Sequence, residues 1–186
     1  MVVAYSYRIK YADDCYWIFL DEILLATITP GEQNSWLVNI KISGENYLFT
    51  KTGRLNPSVS IHNINTGEIT GNIAMPLFPV IFQRSEFLRN DGTKISWISK
   101  SFFSFHWVWK LNNDILVEGV EDFVRSGNRG VIKLSAYQHE SYLLIIAGIF
   151  LSIRRRRRLL FGLFDVQRKV INDHYGLAEK KSLSTF

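Results

Sequence analysis

Apolar residues recur at every second position through most of the chain between Trp36 and Tyr137. In Trp36–Ile42, for example, Val38 and Ile40 alternate with Asn39 and Lys41. A period of two is typical of strands that bury one face. Turn signals recur about every ten residues, and loops this short join antiparallel neighbours. The pattern therefore predicts an up-and-down antiparallel sheet.

Two hairpin loops stand out, Asn65-Thr66-Gly67 and Asn90-Asp91-Gly92, because each ends in a glycine that is free to take a positive φ. The stretch Asp14–Ile28 also fits one face of a helix, and we interpret it as a pair of strands. The total is about ten to twelve strands. The predicted strands are Val2–Lys10, the pair within Asp14–Ile28, Trp36–Ile42, Tyr47–Thr50, Ser58–Ile64, Glu68–Ala74, Val80–Leu88, Thr93–Ile98, Phe102–Leu111, Ile115–Val120 and Val131–Tyr137.

The strand Phe102–Leu111 carries four aromatic residues on one face, at Phe103, Phe105, Trp107 and Trp109. Side chains of this size bury about 150–250 Å² each and need a bulky neighbour to pack against. We interpret this face as part of the core rather than as a wall on which a ligand stacks.

The segment Ser141–Ile153 contains thirteen residues without a charge, and five arginines follow it. A helix that is apolar all round must be buried on every side, in a membrane or in a protein interior. Thirteen residues span about 20 Å, whereas a bilayer core of about 30 Å needs about 20 residues. Length therefore favours a protein interior.

A barrel wall built from tilted strands of about seven residues has a similar height of about 20 Å. Eight-stranded barrels fill their interior with side chains, whereas an eleven-stranded barrel has room for a central helix. We therefore predict a mainly β fold, a closed antiparallel barrel of about 10–12 strands threaded by a hydrophobic C-terminal helix. The predicted barrel domain covers residues 1–164, with the helix at about 141–160 and a C-terminal tail at 165–186. The apolar helix residues expected inside the barrel are Leu143, Leu144, Ile146, Ala147, Phe150 and Leu151.

Three segments together resemble the tubby C-terminal-like superfamily, and within it the scramblase-like and LURP-one-related proteins. They are the hairpin Ser60–Ile73, the end of the Trp-rich strand at Lys110–Asn113, and Tyr142–Ile149 running into arginines. The resemblance covers about residues 36–160 and implies a closed barrel of about twelve strands around a hydrophobic helix. No lipid-binding signature of tubby proteins is reproduced, and 33 residues follow Ile153.

The formal net charge of +5 on 186 residues is unevenly distributed. Residues 1–138 hold 13 basic and 13 acidic side chains, whereas residues 139–186 hold nine basic and four acidic ones. Nucleic-acid-binding proteins usually spread basic residues over a folded face. Here the excess lies in one run, and a nucleic-acid partner is disfavoured.

The arginine run consists of Arg154, Arg155, Arg156, Arg157 and Arg158. One interpretation is structural, because cations at a helix C-terminus complement the macrodipole. The other is contact with the phosphates of anionic lipid, to which the apolar residues between Leu159 and Phe164 could add insertion. On a helix about three of the five arginines can face one surface.

Motifs for catalysis are missing from the sequence. It has no Gly-x-Ser-x-Gly elbow, Walker loop or Gly-x-Gly-x-x-Gly, and its four histidines are not spaced as metal ligands. The adjacent carboxylates Asp21-Glu22 and Glu121-Asp122 are expected to point to opposite faces of strands. Cys15 is the single cysteine, so a disulfide framework is excluded. We expect no enzymatic activity and no cofactor.

The sequence thus favours a non-enzymatic, cytoplasmic barrel module that contacts anionic phospholipid as a peripheral membrane protein. Two alternatives stay open. One is a membrane-anchored protein that inserts residues 141–164, and the other is a barrel that binds a small ligand or a protein partner.

Overall fold

The computed structural model describes residues 2–32, 35–53, 57–75, 84–100, 106–122, 129–135 and 141–154. It contains twelve strands and one helix, α1, at residues 141–154, among these residues. The strands are β1 (Val3–Ala12), β2 (Cys15–Leu20), β3 (Ile23–Pro30), β4 (Ser35–Ile40), β5 (Glu45–Thr52), β6 (Ser58–Asn63), β7 (Ile69–Ala74), β8 (Arg84–Arg89), β9 (Lys94–Ser99), β10 (His106–Leu111), β11 (Asp114–Asp122) and β12 (Arg129–Leu134).

The strands form a closed barrel in which each strand pairs with its neighbours in sequence, and β1 pairs with β12 to close the ring. Every pairing is antiparallel, as short loops require. Closure removes the sheet edges that could pair with other chains. The predicted fold class is confirmed, and Asp14–Ile28 is a strand pair. Residues 80–83, 102–105 and 136–137 of three predicted strands, 155–160 of the predicted helix and the predicted tail 165–186 lie outside the described residues.

The first two hairpin loops are acidic and strained. Asp13 and Asp14 join β1 to β2, with φ of 52° and 55°. Asp21 and Glu22 join β2 to β3, with φ of 43° and 66°. The interpretation of Asp21-Glu22 as strand neighbours was wrong, because the chain reverses at these two residues. Two-residue loops between antiparallel strands favour positive φ at both positions, since that backbone matches the strand twist.

Interior positions alternate with outer positions along most strands, and the interior side chains are buried. The alternation is interrupted in β3 and β10, where consecutive residues are buried next to bulges. The largest fully buried side chains are those of Trp107 and Trp109 of β10, which are 1% and 0% exposed. The Phe87 ring meets Trp109 edge-on, with 6.3 Å between ring centroids. Phe103 and Phe105 lie outside the described residues, but the two tryptophans of the predicted aromatic face are core.

The N-terminal part of α1 is attached to β10 by both tryptophans. Trp109 Nε1 donates a buried hydrogen bond of 2.7 Å to the carbonyl oxygen of Leu144. A Cβ added to Gly148 would lie 2.4 Å from Cζ3 of Trp107, which is too close for any side chain. Residues 143–149 are all buried, and consecutive helical residues point in all directions around the axis. The helix therefore lies inside the barrel over these residues.

Interior glycines make space for aromatic rings from neighbouring strands. Gly119 of β11 is directly opposite Trp107, and a Cβ there would lie 2.2 Å from the indole. Gly130 of β12 is opposite Tyr7 in the same way, with a ring carbon 2.5 Å from the added Cβ. A glycine weakens a strand by removing packing surface, and a ring lying over it restores that surface. The aromatic residues thus occupy the volume that glycine leaves empty.

The chain divides into two compact units, Met1–Ile149 and Phe150–Phe186. The first contains the twelve strands and the helix residues 141–149. Of the second, the described part is residues 150–154, the last turn of α1.

Substitutions at Gly148 test the contact between α1 and Trp107. Alanine normally stabilises a helix interior by about 1 kcal/mol relative to glycine. We expect the opposite for Gly148→Ala, a loss of about 1–3 kcal/mol, because the new methyl group overpacks the core. Gly148→Arg buries an unpaired charge, which costs several kcal/mol, and should prevent folding. Urea denaturation measures the first effect, and soluble yield with a cooperative melt measures the second.

A double-mutant cycle with Trp107→Phe provides the control. In that background the penalty of Gly148→Ala should shrink by more than about 0.5 kcal/mol, because the smaller ring leaves room for the methyl group. Strict additivity, or a folded Gly148→Arg protein, would contradict the placement of the helix.

Candidate functional site

Arg154, the first residue of the arginine run, ends the described part of α1. Its guanidinium lies over the Phe150 ring, with 5.6 Å between Cζ and the ring centroid, in a cation–π arrangement. Arg154 is half-buried, which distinguishes it from a freely solvated cation. Arg155, Arg156, Arg157 and Arg158 lie outside the described residues.

The apolar helix residues that the sequence singled out are buried. Their exposed fractions range from 0% to 6%, at Leu143, Leu144, Ile146, Ala147, Phe150 and Leu151. For the residues up to Ile149, this burial means that helix side chains fill barrel volume that a ligand would need. Binding groups are therefore expected on the outer surface of the barrel.

One group of polar residues lies where β1 and β12 close the barrel. A pocket of about 200 Å³ is lined by Ser6, Tyr7, Arg8, Glu22, Arg129 and Gly130. Arg8 Nη2 donates to Glu22 Oε2 at 2.8 Å, and the Arg8 guanidinium lies 4.9 Å from the centroid of the Phe19 ring. The side chain of Arg8 is thus held from two directions.

The acidic loop between β2 and β3 forms one side of this pocket. Asp21 Oδ1 accepts hydrogen bonds from the backbone N–H of Ser6 at 2.7 Å and from the Ser6 hydroxyl at 2.9 Å. The backbone N–H of Asp21 donates to the carbonyl oxygen of Ser6 at 2.9 Å. Three hydrogen bonds to β1 therefore hold the strained loop in place, and Glu22 beside it reaches Arg8.

A second group lies on the outer face of β10, β11 and β12, centred on Glu118. Glu118 Oε1 lies 2.9 Å from Lys100 Nζ and 2.6 Å from His106 Nε2, and Oε2 lies 3.4 Å from Lys133 Nζ. The hydrogen bond from Lys100, helped by His106 and the charge of Lys133, lowers the pKa of Glu118 to about 2, although partial burial acts in the opposite direction. One carboxylate thus bridges Lys100, His106 and Lys133.

Among the described residues, no three His, Cys, Asp or Glu side chains come together to hold a metal ion. Within the same part of the chain, no helix combines the length and hydropathy needed to span a bilayer. Searches against protein-family models, curated proteins and solved structures find no match to this chain.

Sequence reasoning missed both polar groups. His106 was considered as a lone histidine, and Glu118 was not considered at all. Counting back from the Asn112-Asn113 turn would place Glu118 opposite Trp107, on the other face of the hairpin from His106. A bulge between Trp109 and Lys110 shifts the register, so that Glu118 lies opposite Val108 and on the same face as His106. The turn alone therefore does not predict this contact. The pairing of Arg8 with Arg129 has no sequence signal either, because it joins the first strand to the last.

The depressed pKa of Glu118 predicts how stability depends on pH. A carboxyl whose pKa falls from 4.5 to about 2 on folding stabilises the folded state above pH 4.5, and this contribution is lost as the pH falls towards 2. Since the lysines are partly exposed and solvent screens the ion pairs, we expect Glu118→Gln to cost about 1–2 kcal/mol at pH 7. Urea denaturation at pH 7, 5, 4 and 3 should show the difference from the parent shrinking below pH 4.5.

Glu86→Gln is the matched control, because Glu86 pairs with Arg84 at 3.5 Å in an exposed position. Its effect at pH 7 should stay within about 0.5 kcal/mol. A Glu118→Gln effect that is constant with pH would contradict the electrostatic explanation.

Proposed function

We propose that the protein is a non-enzymatic barrel module that contacts anionic phospholipid surfaces through its C-terminal arginine run. The observation that carries the proposal is the burial of residues 143–149 of α1, which fill the barrel with helix side chains and precede Arg154–Arg158 in the sequence. A barrel occupied in this way has its binding capacity on the outside.

The distribution of charge supports the same proposal. Residues 1–138 carry equal numbers of basic and acidic side chains, and the excess of basic residues lies after residue 138. A neutral barrel body has little long-range attraction for a polyanion, whereas a local basic cluster near an anionic surface gains about 1 kcal/mol per residue. With about three arginines facing one surface, the expected attraction is about 3 kcal/mol.

Lipid is preferred to nucleic acid because of the residues after the arginines. Leu159, Leu160, Phe161, Leu163 and Phe164 follow in sequence. Basic residues next to large apolar ones are typical of segments that lie at a membrane interface. Nucleic-acid binding would gain nothing from these apolar side chains.

The proposal includes membership of the tubby C-terminal-like superfamily, on the scramblase-like and LURP-one-related side. A closed barrel of twelve strands around a hydrophobic helix is the arrangement that the sequence resemblance implies, and it supports the assignment. We place the protein in the cytoplasm as a peripheral membrane protein.

Vesicle sedimentation tests the lipid contact. The protein should sediment with vesicles of phosphatidylserine and phosphatidylcholine, should not sediment with phosphatidylcholine alone, and should be released as salt rises, since salt screens exposed charges. Changing Arg155–Arg158 to glutamine should weaken binding to the acidic vesicles by about 100-fold. Arg154 is kept in this variant because its guanidinium lies against Phe150.

The matched control removes four cations from the barrel. The side chains of Lys10, Lys41, Lys94 and Lys110 form no hydrogen bond or ion pair with another described residue, and we change all four to glutamine. This variant should bind acidic vesicles nearly as well as the parent. Equal losses in the two variants would refute the assignment to the arginine run, and binding that resists a high-salt wash would favour the membrane-anchored alternative.

A further inference from the structure

Arg8 of β1 and Arg129 of β12 are directly opposite each other where the barrel closes. Side chains opposite each other in an antiparallel pair have Cβ atoms about 5 Å apart, and like charges there are destabilising. Glu22 pairs with Arg8, whereas Arg129 is exposed and makes no hydrogen bond or ion pair with another described residue. Both arginines line the pocket of about 200 Å³.

The Arg8 guanidinium is already held in place. Its Nη2 atom reaches Glu22, its plane lies near the Phe19 ring, and its buried Nε atom has no hydrogen-bond partner among the described residues. A buried donor without an acceptor is costly. An acceptor entering the pocket would therefore meet one cation held in place and a second, Arg129, that no described side chain holds.

We propose that this pocket binds a phosphate monoester. The group carries about two negative charges and three terminal oxygens, so it can accept hydrogen bonds from both guanidinium groups at once. A carboxylate has two oxygens, which a single arginine can occupy, and a cation would be repelled by the two arginines. The size of the pocket suits the phosphate with a few atoms of its substituent.

Glu22 acts as a displaceable occupant of the same site. Its side chain is 75% exposed, so its ion pair with Arg8 is a surface pair that contributes little stability. When Glu22 turns away, the two arginines match the charge of the phosphate dianion. Glu22 and the ligand therefore compete for Arg8, which predicts opposite effects of substitutions at Glu22 and Arg129.

Titration with inorganic phosphate and with glycerol 3-phosphate, followed by NMR or calorimetry, tests the site. Arg129→Gln should weaken binding by about tenfold or more, because one charge-assisted contact is lost. Glu22→Gln should tighten binding several-fold, and Asp122→Asn should not weaken it, since Asp122 is the residue opposite Arg129 on β11. Lys41→Gln removes an exposed cation from the turn after β4 and should leave binding unchanged.

Several results would overturn the proposal. The first is that neither phosphate compound binds saturably to the parent. The second is that Arg129→Gln and Lys41→Gln reduce the affinity equally, and the third is that Glu22→Gln weakens binding. Urea denaturation of each variant shows whether a loss of binding reflects unfolding, and an unfolded Arg129→Gln protein is replaced by Arg129→Lys. That variant keeps the charge but loses the paired N–H donors, so it should also weaken binding.

A further arm distinguishes a soluble phosphate monoester from a lipid headgroup. Vesicles with phosphatidic acid present a monoester, whereas phosphatidylserine presents a diester. If the headgroup is the source, Arg129→Gln should reduce binding to phosphatidic acid vesicles and not to phosphatidylserine vesicles. If the source is soluble, it should reduce glycerol 3-phosphate binding alone. The Arg155–Arg158 glutamine variant should bind glycerol 3-phosphate like the parent, so failure of the lipid proposal leaves this one standing.

Discussion

The packing of Trp107 between two glycines is the constraint on which the barrel interior depends. Its indole lies against Gly119 of the next strand and Gly148 of α1, at distances that no Cβ could tolerate. Contact on both sides of the indole fixes how closely the helix approaches β10 and β11. Trp109 also fixes the position of the helix along its axis, because its indole N–H donates to the carbonyl oxygen of Leu144, one turn before Gly148. The helix is thus held by shape and by one buried hydrogen bond, and the rest of the interior packs around it.

Pattern alone predicted the fold class because each of its signals is local. Alternation in Trp36–Ile42 and glycines at the ends of two hairpin loops depend on neighbours within about ten residues. Both glycines have the positive φ expected of them, 75° at Gly67 and 82° at Gly92. The enclosed helix followed from one further inference, that a short segment apolar all round must be buried.

The polar groups on the outer face could not be predicted in the same way. His106, Glu118 and Lys133 belong to three different strands and Lys100 follows a fourth, so their meeting depends on the register of three successive pairings. The contact of Asp21 with Ser6 depends on the Asp21-Glu22 loop, which contains no glycine and so gives no turn signal in the sequence. A sequence pattern reports which face a residue occupies, whereas the registers decide which residues share a patch.

Closure also explains why two arginines face each other at the pocket. A slip of one residue between β1 and β12 would turn every interior side chain outwards, and Tyr7 opposite Gly130 leaves no room for another register. The packing inside the barrel therefore places Arg8 opposite Arg129. The two strands cannot slide past each other to separate these charges without losing that packing. Glu22 offsets part of this repulsion by pairing with Arg8, and no described side chain pairs with Arg129. In the proposed phosphate site, Arg129 adds the second cation that a dianion requires.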